Sequence, residues 1–282
     1  MFLDVSGKKP LLEYAQRVIL RTPKMLLWIG LWVVLTGCCT HRFTKPAQPL
    51  TEPQSVMDGV KKRAALLTSF EFNTRVAHYG ESGVFKGAVD VLGHRPARLR
   101  FEVLSPTDDT LAVVVSDGKR FISHERGKPR CLVGPACAAN VSRLLPIAFE
   151  GSELFDLLTG GTSFLTHDQA DVTWDDCEGA YRLTLRRKID DTEQTVWLSP
   201  DSFVTAKMRV VRKKKELFVL EYDDFRTVGG VEVPFSIRLT SEHRGTDLSI
   251  DLREAYINET KPGTLFEPTC PQGTQEEEVP CP

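Results

Sequence analysis

The residues able to do chemistry in this 282-residue chain are seven cysteines, six histidines and four adjacent aspartate pairs. Two carboxylates acting as general acid and base must share a face. Neighbours on a strand point to opposite faces, so none of Asp108-Asp109, Asp175-Asp176, Asp190-Asp191 and Asp223-Asp224 is a natural dyad, and most sit at apparent strand ends, where aspartate satisfies turns. The histidines are scattered, and His124-Glu125 is a lone pair in a hairpin-like stretch. There is no CxxC spacing, nucleophile elbow or phosphate-binding glycine loop. The sequence therefore offers no catalytic residue, metal site or cofactor, and a secreted hydrolase is the weakest reading it leaves. One cysteine stands apart by position. Cys38 directly follows an apolar run, which suits modification of the thiol better than catalysis.

That run, Met25 to Thr36 (MLLWIGLWVVLT), has no charge and no proline, and Arg17, Arg21 and Lys24 precede it. A basic stretch, a short apolar run and small residues at the cut describe an export signal. About 12 residues are too few to cross a hydrocarbon core, which takes roughly 20. Leu35-Thr36-Gly37-Cys38 resembles the lipobox of bacterial lipoproteins. The resemblance implies residues 1–37 as signal peptide, from Met1 or a later start at Met25, with acylation of Cys38 and cleavage before it. Two or three acyl chains then hold the protein on a membrane, where one would bind only marginally. Cys39 stands where some lineages carry an inner-membrane retention aspartate, so the periplasmic face of the outer membrane is expected. Removing residues 1–37 takes five basic and two acidic residues from a formal charge of −2, leaving −5. A nucleic-acid partner would need a concentrated basic face, and Arg212-Lys213-Lys214-Lys215 reads as a solvated hairpin turn.

The other cysteines suit an oxidising compartment. Cys131 and Cys137 bracket the short loop LVGPA, and Cys270 and Cys281 bracket the C-terminal tail. Local pairs 131–137 and 270–281 are expected, with Cys177 left over, although spacing alone does not fix connectivity.

Residues 38–54 are rich in Pro, Thr and Gln and read as a flexible tether. Val56, Val60, Ala64 and Leu67 then recur at helical spacing over Ser55–Thr68. From Phe70 to Leu252 the period is mostly two, giving about ten or eleven half-buried strands joined as hairpins. The middle, Ala138 to Gly160, breaks that period. Ser152 to Leu158 reads as a short apolar helix ended by Gly160 and Gly161.

An N-terminal helix, a meander, a central helical insertion and a second meander resemble the LolA/LolB family of lipoprotein carriers and receptors, over about residues 55–258. Its most specific stretches are LRFEVLSPTDDTLAVVVSDGKRF (Leu99–Phe121) and LLPIAFEGSELFDLLTG (Leu144–Gly160). The resemblance implies a mainly β fold, an unclosed antiparallel barrel over residues 55–260 with a helical lid on its concave face, followed by a tail at 261–282. It also implies an acylated lipoprotein or lipid as ligand and a periplasmic LolA-like carrier as partner. The likeness departs at Ser105–Thr110. LolB proteins expose an apolar residue in that loop, and here it is polar apart from Pro106.

The expected binding surface is Phe70, Phe72, Phe85, Val89, Leu99 and Phe101 on the sheet. Facing it are Leu145, Ile147, Phe149, Leu154, Phe155 and Leu158 of the lid. The lid is expected to rest on that face without filling it. A continuous apolar cavity above ~300 Å³ would suit a binding protein, and a filled interior would suit a structural or adaptor lipoprotein. For the anchor, Cys38→Ser is expected to accumulate as an uncleaved precursor without acyl mass in intact-protein mass spectrometry. Normal processing of that variant would sink the lipoprotein reading.

Overall fold

A computed structural model describes Cys39 and residues 42–282 except Ser82 and Leu144. The signal segment and Cys38 lie outside the described residues. The chain divides at Arg42/Phe43, and the account below concerns the unit from Phe43 to Pro282.

Helix α1 spans Pro53–Ala65, two residues earlier than the apolar spacing suggests. Proline at the first turn brings a φ already set for a helix. Lys62 and Arg63 in the last turn complement its negative end. Val56, Met57 and Val60 are buried against the second meander, where the helix packs on β7 and β8.

Among the described residues, fourteen strands form one sheet. The first meander is β1 (Ser69–Gly80), β2 (Gly83–His94), β3 (Arg98–Leu104), β4 (Thr110–Ser116), β5 (Arg120–Glu125) and β6 (Arg130–Pro135). The second is β7 (Gln169–Asp175), β8 (Ala180–Arg187), β9 (Thr192–Leu198), β10 (Thr205–Arg212), β11 (Lys215–Val228), β12 (Val231–Ser241) and β13 (Thr246–Ile257), and β14 (Gln275–Glu278) follows. The order is β14-β6-β5-β4-β3-β2-β1-β13-β12-β11-β10-β9-β8-β7, so the two meanders meet at the β1–β13 pair. There Phe70 opposes Ile257, and the register shifts at Asn73/Thr74. Such a bulge bends a strand and raises its twist. Alternation puts Phe70, Phe72, Val89, Val91, Leu99 and Phe101 into one buried cluster with the inward residues of β8 to β13. Helix α1 covers part of that face. The insertion, with α2 (Ala138–Val141) and α3 (Gly151–Leu158), covers more of it.

Three strands exceed the sequence-based count. β6 contains Gly134 and Pro135, and β7 (QADVTWD) buries no residue fully. β14 (Gln275–Glu278, QEEE) is wholly exposed. This last strand lies within the tail expected at residues 261–282. It runs parallel to β6, with Glu276 opposite Cys131 and Val279 N–H donating to the Val133 carbonyl at 2.8 Å. A charged strand at the sheet margin discourages further pairing. Residues before α1 are also less free than a tether: Phe43 N–H donates to the Asp176 carbonyl at 2.7 Å, and Leu50 N–H to the Tyr181 hydroxyl at 3.1 Å.

The disulfides differ from the expected local pairs. Cys131 bonds Cys270, and Cys137 bonds Cys281, so both bridges tie the C-terminal segment to the edge of the first meander. Cys39 and Cys177 are disulfide-bonded as well, so Cys177 is not left over. Spacing misled because these cysteines are brought together by strand pairing rather than by loop closure. Gly134 permits the approach: a Cβ there would meet the Val279 carbonyl at 2.3 Å.

Each bridge alone closes a long loop, with separations of 139 and 144 residues. With one intact, the other closes only about 17 residues, the two short arms between the paired cysteines. Chain entropy then predicts that losing one bridge costs about 3 kcal/mol, and losing the second about 5 kcal/mol more. Cys270→Ser with Cys281→Ser should therefore lower the denaturation midpoint more than twice as far as either change alone. Non-reducing peptide mapping should recover the 131–270 and 137–281 pairs.

Candidate functional site

The lid helix α3 is held at its C-terminal end by side chains from three other elements. Glu153 Oε2 accepts the Glu150 N–H at 2.9 Å, which starts the helix. Thr159 Oγ1 donates to the Phe155 carbonyl at 2.9 Å, and Gly160, at φ +73°, turns the chain away. Arg63 of α1 reaches beneath this end and donates to the carbonyls of Thr159 at 2.6 Å and Glu232 at 2.7 Å. Burial lowers its pKa to about 10, so it stays cationic at neutral pH and meets the negative end of the helix. From the turn after β2, Arg95 bonds Asp156 at 2.6 Å and the Leu67 carbonyl at 2.7 Å. Its guanidinium also lies 4.3 Å from the centre of the Phe155 ring. Burial raises the Asp156 carboxyl, and the Arg95 bond opposes that rise. Tyr222 of β11 completes the clamp, donating to the Leu157 carbonyl at 2.9 Å.

The N-terminal half of the lid, Leu145 to Phe149, is held differently. Ser142 Oγ brackets Phe149, accepting its N–H and donating to its carbonyl, both at 2.9 Å. Arg244 donates to the Pro146 carbonyl at 2.9 Å, and the Phe149 ring meets Phe218 edge-on at 5.6 Å. Three voids border this segment. An apolar pocket of about 120 Å³ lies over β1–β3, lined by Phe85, Val89, Phe101, Leu145 and Leu158, with Val76, His78, Val91, Val103, Leu248 and Ile250. A seam of about 30 Å³ shares Leu145, Leu158, Leu248 and Ile250 with it and adds Phe149, Leu154 and Leu157. A wider cleft of about 520 Å³ opens over β9–β11, shares Phe149 and Leu157 with the seam, and includes Ile147.

Eight of the twelve expected binding residues thus line a void. Phe70, Phe72, Leu99 and Phe155 line none of the three. Phe70 stacks on Phe72 at 4.5 Å and meets Phe155 at 5.0 Å, and Phe155 is wholly buried. The side of α3 that carries Phe155 is solid core, while Leu154, Leu157 and Leu158 border the voids. The apolar voids are also smaller than the ~300 Å³ expected of an open acyl site, because Leu145 to Phe149 lies down on the sheet. Sequence reasoning missed the β9–β11 cleft. Its floor residues Met208, Val210 and Phe218 alternate like any core strand, and Arg212 reads as part of a charged turn.

Three of the acidic pairs sit at strand ends or in turns, whereas Asp223-Asp224 lies within β11, where the pairing with β12 skips Asp224. Asp108, Asp191 and Asp224 take positive φ. Asp190 is ion-paired to Arg187 at 2.8 Å, which holds its carboxyl far below the usual range. Asp175, Asp176 and Cys177 bring ligand-type atoms within 4.8 Å of one another. Cys177 is disulfide-bonded, so it offers no thiolate. Asp175 is already occupied by Trp197 Nε1 at 2.9 Å and by the N–H groups of Cys177 and Glu178. The Ser105–Thr110 loop is polar and closed on itself through Ser105 Oγ. Exposed apolar side chains gather instead on the β1–β2 hairpin, at Tyr79, Val84 and Phe85.

No protein-family profile and no curated protein matches the sequence. Solved structures do. A DUF1329-family protein from Desulfovibrio piger superposes with TM-score 0.56 at 12% identity, over 77% of this chain and 98% of that one. An outer membrane lipoprotein-sorting protein domain from Vibrio parahaemolyticus gives 0.54 at 12% identity, over 76% and 97%. A LolA-superfamily protein from Nitrosomonas europaea gives 0.50 at 13% identity, over 77% and 98%. The class this defines is the LolA-like fold: a large unclosed antiparallel sheet carrying a helical lid.

The division within the lid can be measured. Phe155→Glu should unfold the domain, because an unpaired charge in a packed interior costs several kcal/mol. Leu145→Ala, at the edge of two voids, should cost less than the 2–5 kcal/mol typical of a core leucine. Thermal melts followed by circular dichroism would check both. A Phe155→Glu variant that melts like wild type would contradict the packed assignment.

Proposed function

We propose that this protein is a lipid-anchored acyl-chain-binding protein of the bacterial envelope, receiving or passing on acylated lipoproteins or lipids at the periplasmic face of the outer membrane. The observation that carries this reading is the row of voids beneath Leu145–Phe149, each sharing lining residues with the next. The similar structures include a lipoprotein-sorting domain, which agrees with it. Six cysteines of the described residues are engaged in disulfides, and the lipobox assigns Cys38 to acylation. A periplasmic carrier of LolA type is the partner this role requires.

Binding and release need no covalent step. Each buried CH₂ contributes ~0.8 kcal/mol, and lifting Leu145–Phe149 would merge the voids into one trough. The clamped end of α3 acts as the fixed end of that motion. The small volume of the apolar voids favours a second reading, an adaptor lipoprotein that keeps the fold with its interior closed.

One pair of measurements separates them. Wild-type protein should bind a fluorescent fatty-acid probe, and Val103→Trp, which fills the 120 Å³ pocket, should weaken binding at least roughly tenfold, equivalent to about 1.4 kcal/mol. The melt should stay within a few degrees of wild type, because Val103 is only half-buried. Absence of probe binding by wild type, with no lipid copurifying from native membranes, would establish the adaptor reading instead.

A further inference from the structure

The cleft over β9–β11 is lined by two kinds of surface. Met208, Val210 and Phe218 form an apolar floor that continues into Phe149 of the lid, whereas Arg187, Arg212 and Arg244 stand along its rim. The rim charges are not cancelled locally. Arg187 bonds Asp190 at 2.8 Å and Arg212 lies 3.5 Å from the same carboxylate, so two guanidiniums share one anion. Arg244 bonds a neutral carbonyl, that of Pro146. Glu153 is the one acid on the lining, and its carboxylate already accepts the Glu150 N–H. The dry pocket at the other end of the row has His78 as its one polar side chain. An unpaired anion is strongly disfavoured in such surroundings, while guanidiniums at a partly open rim suit carboxylate or phosphate.

We propose that this cleft seats the anionic head of the acyl ligand, with the chain running beneath Leu145–Phe149 toward Phe85. The inference rests on the acyl-binding reading and adds two things to it: the charge of the ligand and the direction in which it lies.

The test is displacement of a fluorescent fatty-acid probe from the purified protein by palmitate, by lysophosphatidylglycerol and by hexadecanol, which carry a carboxylate, a phosphate and no charge. Wild type should favour one of the anionic amphiphiles over hexadecanol by roughly tenfold or more, a preference that shrinks in high salt as exposed charges are screened. Whichever anion is favoured assigns the head as carboxylate or phosphate. Arg212→Glu should erase most of the preference while leaving hexadecanol displacement unchanged; Arg244→Gln should erase it too, and Arg244→Lys should retain it. Arg212 does not bond the lid, so its variant separates loss of a headgroup partner from loosening of Pro146. Equal displacement by hexadecanol in wild type, or a preference surviving both substitutions, overturns the headgroup site while acyl binding stands. Displacement by none of the three overturns both.

Discussion

The guanidinium of Arg63 is the point on which the covering of the sheet depends. It comes from α1, holds a carbonyl just past the end of α3, and holds another at Glu232 on β12. Three segments far apart in sequence thus meet at one buried cation. A guanidinium suits the place because its planar fork can serve several acceptors while it remains charged. Removing it would leave two carbonyls without their partner, and such losses cost more than the net value of the bonds. The cation also explains why one end of the lid is fixed. Arg95, Phe155, Asp156 and Tyr222 assemble around that end, and the voids reach it only along Leu157 and Leu158.

The sheet's apolar face is large because two meanders contribute to it, and the helices are few. Where the lid is clamped, aromatic rings fill the interior. Where it is held mainly through Ser142 and Arg244, gaps persist. A chain that opened everywhere would expose core, and one that opened nowhere could exchange no ligand. Anchoring one end would confine any opening to Leu145–Phe149 and leave the Phe70–Phe72–Phe155 contacts undisturbed.

Much of this was legible in the sequence. Period-two alternation revealed about ten or eleven of the strands, and its interruption between Ala138 and Gly160 located the lid. β7 and β14 were not legible, because alternation reports burial on one face and these edge strands bury little. The cysteine pairing was not legible because Cys131 and Cys270 meet through the sheet's closing register, which spacing does not encode. The division of the lid was hidden for a related reason. Phe149 and Phe155 are equally apolar in sequence, and only the rings opposite decide which borders a gap. The turn expected at Arg212–Lys215 is real, but the cleft beside it exists only once β9, β10 and β11 lie together.

The parallel pairing of β14 with β6 carries a consequence for the order in which the molecule is completed. The first meander is made early, yet its outer strand finds its neighbour only when the final residues arrive. Until then a row of backbone donors and acceptors and two thiols stay open at that margin, and open margins recruit foreign strands. Bonding of Cys270 and Cys281 to Cys131 and Cys137 therefore follows the arrival of β14 at that margin. A chain cut short by a dozen residues would keep its lid and most of its core, yet would present a sticky edge and an unsatisfied thiol.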